Sequence, residues 1–143
     1  MSASLLALLL LAAAPAESHL ATPASPALLR PVMDAGARCS ANPQLTVVLS
    51  AFTPPRGSHA TLVVSLRTGD GRTTELGHVG VYPERAFSAS TAQPMRFGFA
   101  VPRRALALDP MIVVAMTIDG GPAPDARAVI AEARIGLAPQ ERC

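Results

Sequence analysis

The chain has no Trp, no Lys, one Tyr and four Phe among its 143 residues. With so few aromatics, the interior has to be filled by Val, Leu, Ile, Ala and Met. With no Lys, all twelve basic residues are Arg, and they are dispersed along a chain of net charge +2. No basic run interleaves with aromatics, so the electrostatic footprint of a nucleic-acid binder is missing. Charged residues make up only 15% of the chain and apolar ones 50%, a balance that excludes intrinsic disorder. Catalytic motifs are also absent. No GxSxG offers a nucleophile elbow, and no Gly-rich loop leads into a helix to cradle phosphate. The ten acidic residues fall mostly in turn-like stretches, among them Asp70, Asp109, Asp119 and Asp125. They read as solvated turn residues and not as a glycosidase pair. No catalytic residue and no cofactor is expected.

What is present begins with "SLLALLLLAAAPA" (residues 4–16), an apolar run followed by small residues. This is the pattern of a secretory signal, and the run is short for a bilayer span. Ala14-Pro15-Ala16 fits the small-x-small cleavage rule, so residues 1–16 are read as a signal removed after Ala16. Residues 2–4 carry no basic residue, and the alternative is a retained membrane anchor. The expected location is the periplasm or the exterior, with no membrane span after cleavage. In such an oxidising compartment the pair Cys39 and Cys143 is most simply a disulfide. Neither has a CxxC spacing or a nearby His, which a reactive thiol, the alternative, would favour.

Residues 17–38 are rich in Ala, Pro and Ser, with prolines at 23, 26 and 31, and read as an extended leader or linker. From Cys39 the apolar pattern has a period of two. Strands are expected over Leu45–Phe52, Ala60–Arg67, Thr73–Tyr82, Met95–Val101, Met111–Ile118 and Ala126–Leu137. Leu62, Val64 and Leu66 share one face; Met95, Phe97, Phe99 and Val101 share another. Thr68–Gly71 suits a hairpin turn, and Pro102–Pro110 a short turn or single helical turn. Met111–Ile118 is apolar on both faces and reads as a central strand. In the last strand Val129, Ala131, Ala133, Ile135 and Leu137 are assigned inward, and Arg127, Glu132 and Arg134 outward. None of the fourteen prolines falls inside a proposed strand interior, where it would remove a ladder bond. The expected fold is all-β, a single small antiparallel β-sandwich over residues 39–143. Six or seven strands would be arranged in an immunoglobulin-like way.

His78 lies in "TELGHVGVYPERAF" (Thr74–Phe87) between apolar neighbours. A blue-copper site needs Cys, His and Met close together near the end of the chain. Here nothing follows Cys143 and all three histidines lie upstream, so that arrangement is excluded. A Cu(I) site of imidazole and thioethers could use His78, Met95, Met111 and Met116. The competing reading makes His78 an ordinary strand residue and the methionines core filler, and that reading is preferred, with no metal assigned. His59 beside a turn and His19 in the leader do not add to the copper set.

The stretches "HVGVYPERAF", "MRFGFAVPRRALAL" and "MIVVAMTIDGGPAPDARAVIAEARIGL" follow one another between Glu75 and Leu137. In that order they resemble the C-terminal β-sandwich domain of plant-type polyphenol oxidases and related tyrosinases. The Lys-Phe-Asp-Val signature of the plant domains is absent, and so is the copper-binding catalytic domain. In that family the sandwich covers the oxidase active site and is not itself catalytic. The resemblance therefore implies a secreted accessory or interaction module whose partner is another exported protein, a tyrosinase-type copper oxidase. The alternative from the residues alone is a periplasmic Cu(I) carrier built on His78 and the methionines.

Overall fold

The computed structural model describes residues 19–143; the signal-peptide reading of residues 1–16 lies outside them. Two β-sheets pack face to face. In the first, β9 (Arg127–Gly136) pairs with β4 (Gln44–Thr53), which pairs with β7 (Met95–Ala100). The other side of β9 carries β1 (His19–Ala21), antiparallel, and the two-residue β3 (Val32–Met33), parallel. The second sheet runs β2 (Ala27–Leu29), β8 (Met111–Asp119), β5 (His59–Arg67), β6 (Thr73–Gly80). The six strands expected from the period-two pattern are thus β4 to β9. The apolar run Met111–Ile118 is a central strand, as its two apolar faces require, between β2 and β5. The expected single helical turn is a 3-10 turn over Arg103–Ala107.

The core forms where the inner faces meet. Leu45, Val47, Leu49 and Phe52 of β4 are buried, as are Leu62, Val64 and Leu66 of β5. Ile112, Val114 and Met116 of β8, buried too, lie beside the β5 residues as their cross-strand partners. Each such aliphatic side chain withdrawn from water contributes roughly 1.5–3 kcal/mol before the entropy of ordering is charged against it. Gly77 of β6 lies directly against the ring of Phe99: a Cβ there would come 2.9 Å from Phe99 Cδ1. The lack of a side chain at this position is what lets the edge of one sheet close onto the other.

Two expectations change. Residues 17–38 are not a linker over their described part, because β1, β2 and β3 all lie between His19 and Met33, and Ala21, Ala27 and Leu29 are buried. With them the described chain has nine strands instead of six or seven. The physical reason is length. Pro23, Pro26 and Pro31 interrupt the segment so often that its strands have only two or three residues each, too short to display an alternation. Each is held by the sheet edge it completes, an edge being where proline-flanked strands are tolerated.

The second change is the inner face of β9. Ala128, Ile130, Ala133 and Ile135 are buried, whereas Ala131 is exposed and Val129 only half-buried. Leu49 pairs with Ile130 and Val48 with Glu132, so Ala131 has no partner on β4. One residue further, Leu49 and Ala51 pair with Ile130 and Val129, which leaves Ser50 as the extra residue of β4. Each bulge shifts the alternation by one. Val129 and Ala131 therefore leave the inner face, and on β4 the buried position passes from Leu49 to Phe52.

Between β4 and β9 the chain crosses from one sheet to the other at every connection except the β5–β6 hairpin. Immunoglobulin domains keep their last two strands in one sheet; here β8 and β9 lie in different sheets, and β9 pairs with β4 instead. The hairpin turn is where it was expected. The Gly71 N–H donates to Thr68 O (2.9 Å), with Gly71 at a positive φ of 85°. The Asp70 carboxylate accepts from the Thr68 hydroxyl, which holds it below the usual carboxylate range.

The loop before β4 is clasped to residues 141–143. Cys39 and Cys143 form a disulfide across 104 positions, with Cα atoms 5.8 Å apart. Beside it the Glu141 carboxylate accepts from the hydroxyl of buried Ser40 and from the N–H groups of Ala41 (3.1 Å) and Asn42 (3.2 Å). The Ser40 hydroxyl, above all, holds Glu141 below the usual carboxylate range.

Candidate functional site

The four residues of the possible copper set do not come together. His78 lies on the edge strand β6, opposite Val63, with 71% of its side chain exposed and Nδ1 3.5 Å from Glu75 Oε1. Met116 pairs with Leu62 and is buried in the core, on the other face of that sheet. Met111 begins β8 four positions before Ala115, the partner of Val63, about 13 Å along the strand at ~3.3 Å per residue. Met95 belongs to the other sheet, paired with Leu49. Among the described residues no three of His, Cys, Asp and Glu gather closely enough to hold a metal ion.

His59, passed over in the sequence, has a partner that only the fold supplies. Its Nδ1 lies 2.6 Å from Glu84 Oε2, while Glu84 Oε1 accepts from the Ala60 N–H at 2.9 Å. Asp119 is its cross-strand neighbour on β8. The hydrogen bond with Glu84, then that carboxylate's charge, raises the His59 pKa, and the same bond lowers that of Glu84. This pair ties the loop after β6, which carries the exposed Tyr82, to the start of β5. It fastens the loop, with four-fifths of the imidazole side chain exposed.

A cleft of about 650 Å³ lies near the clasp. Arg30 enters it from the link between β2 and β3, Arg38 from the residue before the disulfide, and Arg103 from the start of the 3-10 turn. Buried Pro31 and Pro110 and half-buried Met33 and Leu106 supply the apolar lining. The geometry follows from local sequence. Pro102 sets the extended residue before the turn, and the turn closes with the Leu108 N–H donating to Ala105 O at 3.1 Å. Asp109 then takes a left-handed backbone (φ 50°) before Pro110, a conformation that Asp adopts more readily than most residues. Its Oδ1 lies 2.5 Å from Arg30 Nη1, across an exposed surface, where such a pair contributes little to stability.

Arg38 and Arg103 have no carboxylate partner among the described residues. Arg103 Nη2 instead donates to Arg38 O at 3.5 Å, holding its side chain against the loop that the disulfide anchors. Guanidinium groups carry a fixed charge and five donors in a planar fork that matches carboxylate and phosphate. They bind anions well and do not act as nucleophile or general base. Three such groups against one carboxylate leave the cleft with two uncompensated positive charges. Sequence reasoning missed this site because its arginines are separated by up to 73 positions. The doublet Arg103-Arg104, inside a stretch read only as a turn, was the one local hint. No protein-family model, curated protein or solved structure matches this chain.

Proposed function

We propose that this chain is a small exported β-sandwich that binds without catalysing and serves another exported protein. A tyrosinase-type copper oxidase is the partner to which its strand order points. The observation that carries the reading is the arginine cleft, whose side chains hold a ligand by fixed charge and have no means of attacking it. The disulfide between Cys39 and Cys143 is compatible with the oxidising compartment that export implies.

The test is to express the full chain in its host, fractionate the cells, and mix the purified product with the copper-oxidase catalytic domain encoded nearest to it. The expected result is a mature protein outside the cytoplasm, with no labelled thiols, that co-elutes with the oxidase on size exclusion. A cytoplasmic protein with both thiols free would overturn export, and failure to co-elute would remove the oxidase. Stoichiometric copper that disappears on His78→Ala would replace this reading with a Cu(I) carrier.

A further inference from the structure

We infer that the arginine cleft is a site for a small organic anion with an apolar body, a carboxylate or phosphate carried on a hydrocarbon or aromatic group. The inference rests on the reading of the chain as a binding module, and it adds the class of ligand. Four observations converge on it. The cleft, at about 650 Å³, falls within the ~300–1,000 Å³ range of small-molecule sites. Its charge is asymmetric: Arg30 is matched by Asp109, and Arg38 and Arg103 face no carboxylate among the described residues. Its lining is otherwise largely apolar, with Met33, Leu106, Pro31 and Pro110 sharing the cleft with the arginines. It is also pre-organised, because the disulfide fixes the residue after Arg38, and Arg103 is hydrogen-bonded to Arg38 O.

Each feature selects something in the ligand. Two unpaired guanidinium groups favour an anion with at least two oxygens, held by parallel N–H···O bonds. The apolar lining rewards a body that removes it from water, which a bare inorganic ion cannot do. A long acidic peptide is the less favoured occupant: the charge is concentrated in one cleft instead of running as a stripe along the surface. Asp109 gives the site its discrimination, since a ligand that reaches Arg30 has to compete with a carboxylate already in place.

The experiment is calorimetric titration of the full-length mature protein with phenyl phosphate, inorganic phosphate, phenyl β-glucoside and hexaglutamate, with phenol release followed in parallel. Phenyl phosphate is expected to bind 1:1, at least tenfold more tightly than inorganic phosphate, and more weakly as salt rises. The neutral glucoside should not register. Arg38→Gln and Arg103→Gln should each weaken phenyl phosphate at least tenfold, while Arg96→Gln on β7, outside the cleft, leaves it unchanged. All three positions are exposed, and unaltered thermal midpoints would confirm that the variants fold. Equal affinity for inorganic phosphate, meaning an adventitious ion only, would overturn the proposal. So would binding indifferent to both arginine substitutions, tighter binding of hexaglutamate, or no binding of phenyl phosphate at all. Phenol release that disappears in Arg38→Gln would sink the non-catalytic reading and leave the ligand class standing. No binding with no phenol released would do the reverse.

Discussion

At the scale of single residues, the clearest electrostatic statement concerns His59 and Glu84. Their contact at 2.6 Å raises the histidine pKa and lowers that of the carboxylate. A histidine whose folded pKa is raised contributes stability that is complete below its unfolded value, ~6.5, and is lost as pH rises through the folded value. Glu84 works in the opposite direction: its share is present above the unfolded carboxylate value and is lost as pH falls through the lowered one. The pair is therefore strongest in mildly acidic solution. In an NMR titration the His59 midpoint should lie above that of an ordinary exposed histidine, and Glu84→Gln should bring it down. A midpoint indifferent to that substitution would mean that the remaining neighbour, Asp119, sets it. His59 shows why residue-scale chemistry was hard to read in advance. Its partner is 25 positions away on a loop without periodicity, whereas His78, the more conspicuous residue, turned out to sit exposed on an edge strand.

At the scale of elements, the twin bulges of β4 and β9 decide which residues the core receives. Because Ser50 and Ala131 are extra residues, Ile130 points inward and Val129 does not. Ile130→Ala should cost about 2–5 kcal/mol in urea unfolding, as expected for an aliphatic side chain at zero exposure. Val129→Ala should cost less than ~1 kcal/mol. The reverse order would restore the unbroken alternation. The short strands β1, β2 and β3 make a second claim at this scale. A chain starting at Asp34 loses buried Ala21, Ala27 and Leu29 and uncovers the backbone edges of β8 and β9. Its stability should fall by on the order of 3 kcal/mol or more, from the lost apolar burial alone, and the bared edges should promote association. Unchanged unfolding of that variant would return the segment to the status of a linker.

At the scale of the whole molecule, the clasp joins the loop before β4 to the last residue of the chain. The disulfide spans 104 positions, which in the chain-entropy account stabilises by roughly 4–5 kcal/mol, with measured losses on removal of ~2–5 kcal/mol. The double substitution Cys39→Ser with Cys143→Ser should lower stability within that range, read as a shift of the urea midpoint at constant slope. It should also weaken binding of phenyl phosphate, because the loop carrying Arg38 would lose its anchor while the arginine itself remains. If stability falls and binding is untouched, the clasp is structural only. The Glu141 contacts add a pH dependence of known sign: their contribution is present above the unfolded carboxylate value and is lost as pH falls through the lowered one.

Much of the fold was legible along the chain because its cause is local. A period of two over eight or so residues forces a half-buried strand whatever lies beside it, and the prolines and glycines mark where each strand must stop. Those signals carried the β4–β9 strands, the turn at Thr68–Gly71 and the all-β sandwich, while the pairing of two solitary cysteines followed from their number and the expected compartment. What depended on pairing was not legible. A bulge is a relation between two strands, so nothing within "ARAVIAEARI" tells Ala131 that it has no partner. A strand of two or three residues has no period to read and exists only because a neighbour's edge needs covering. The cleft belongs to the same class. Arg30, Arg38 and Arg103 are unremarkable as separate positions, and they become one charged site only when the β2–β3 link, the disulfide loop and the 3-10 turn fold to the same end of the sandwich.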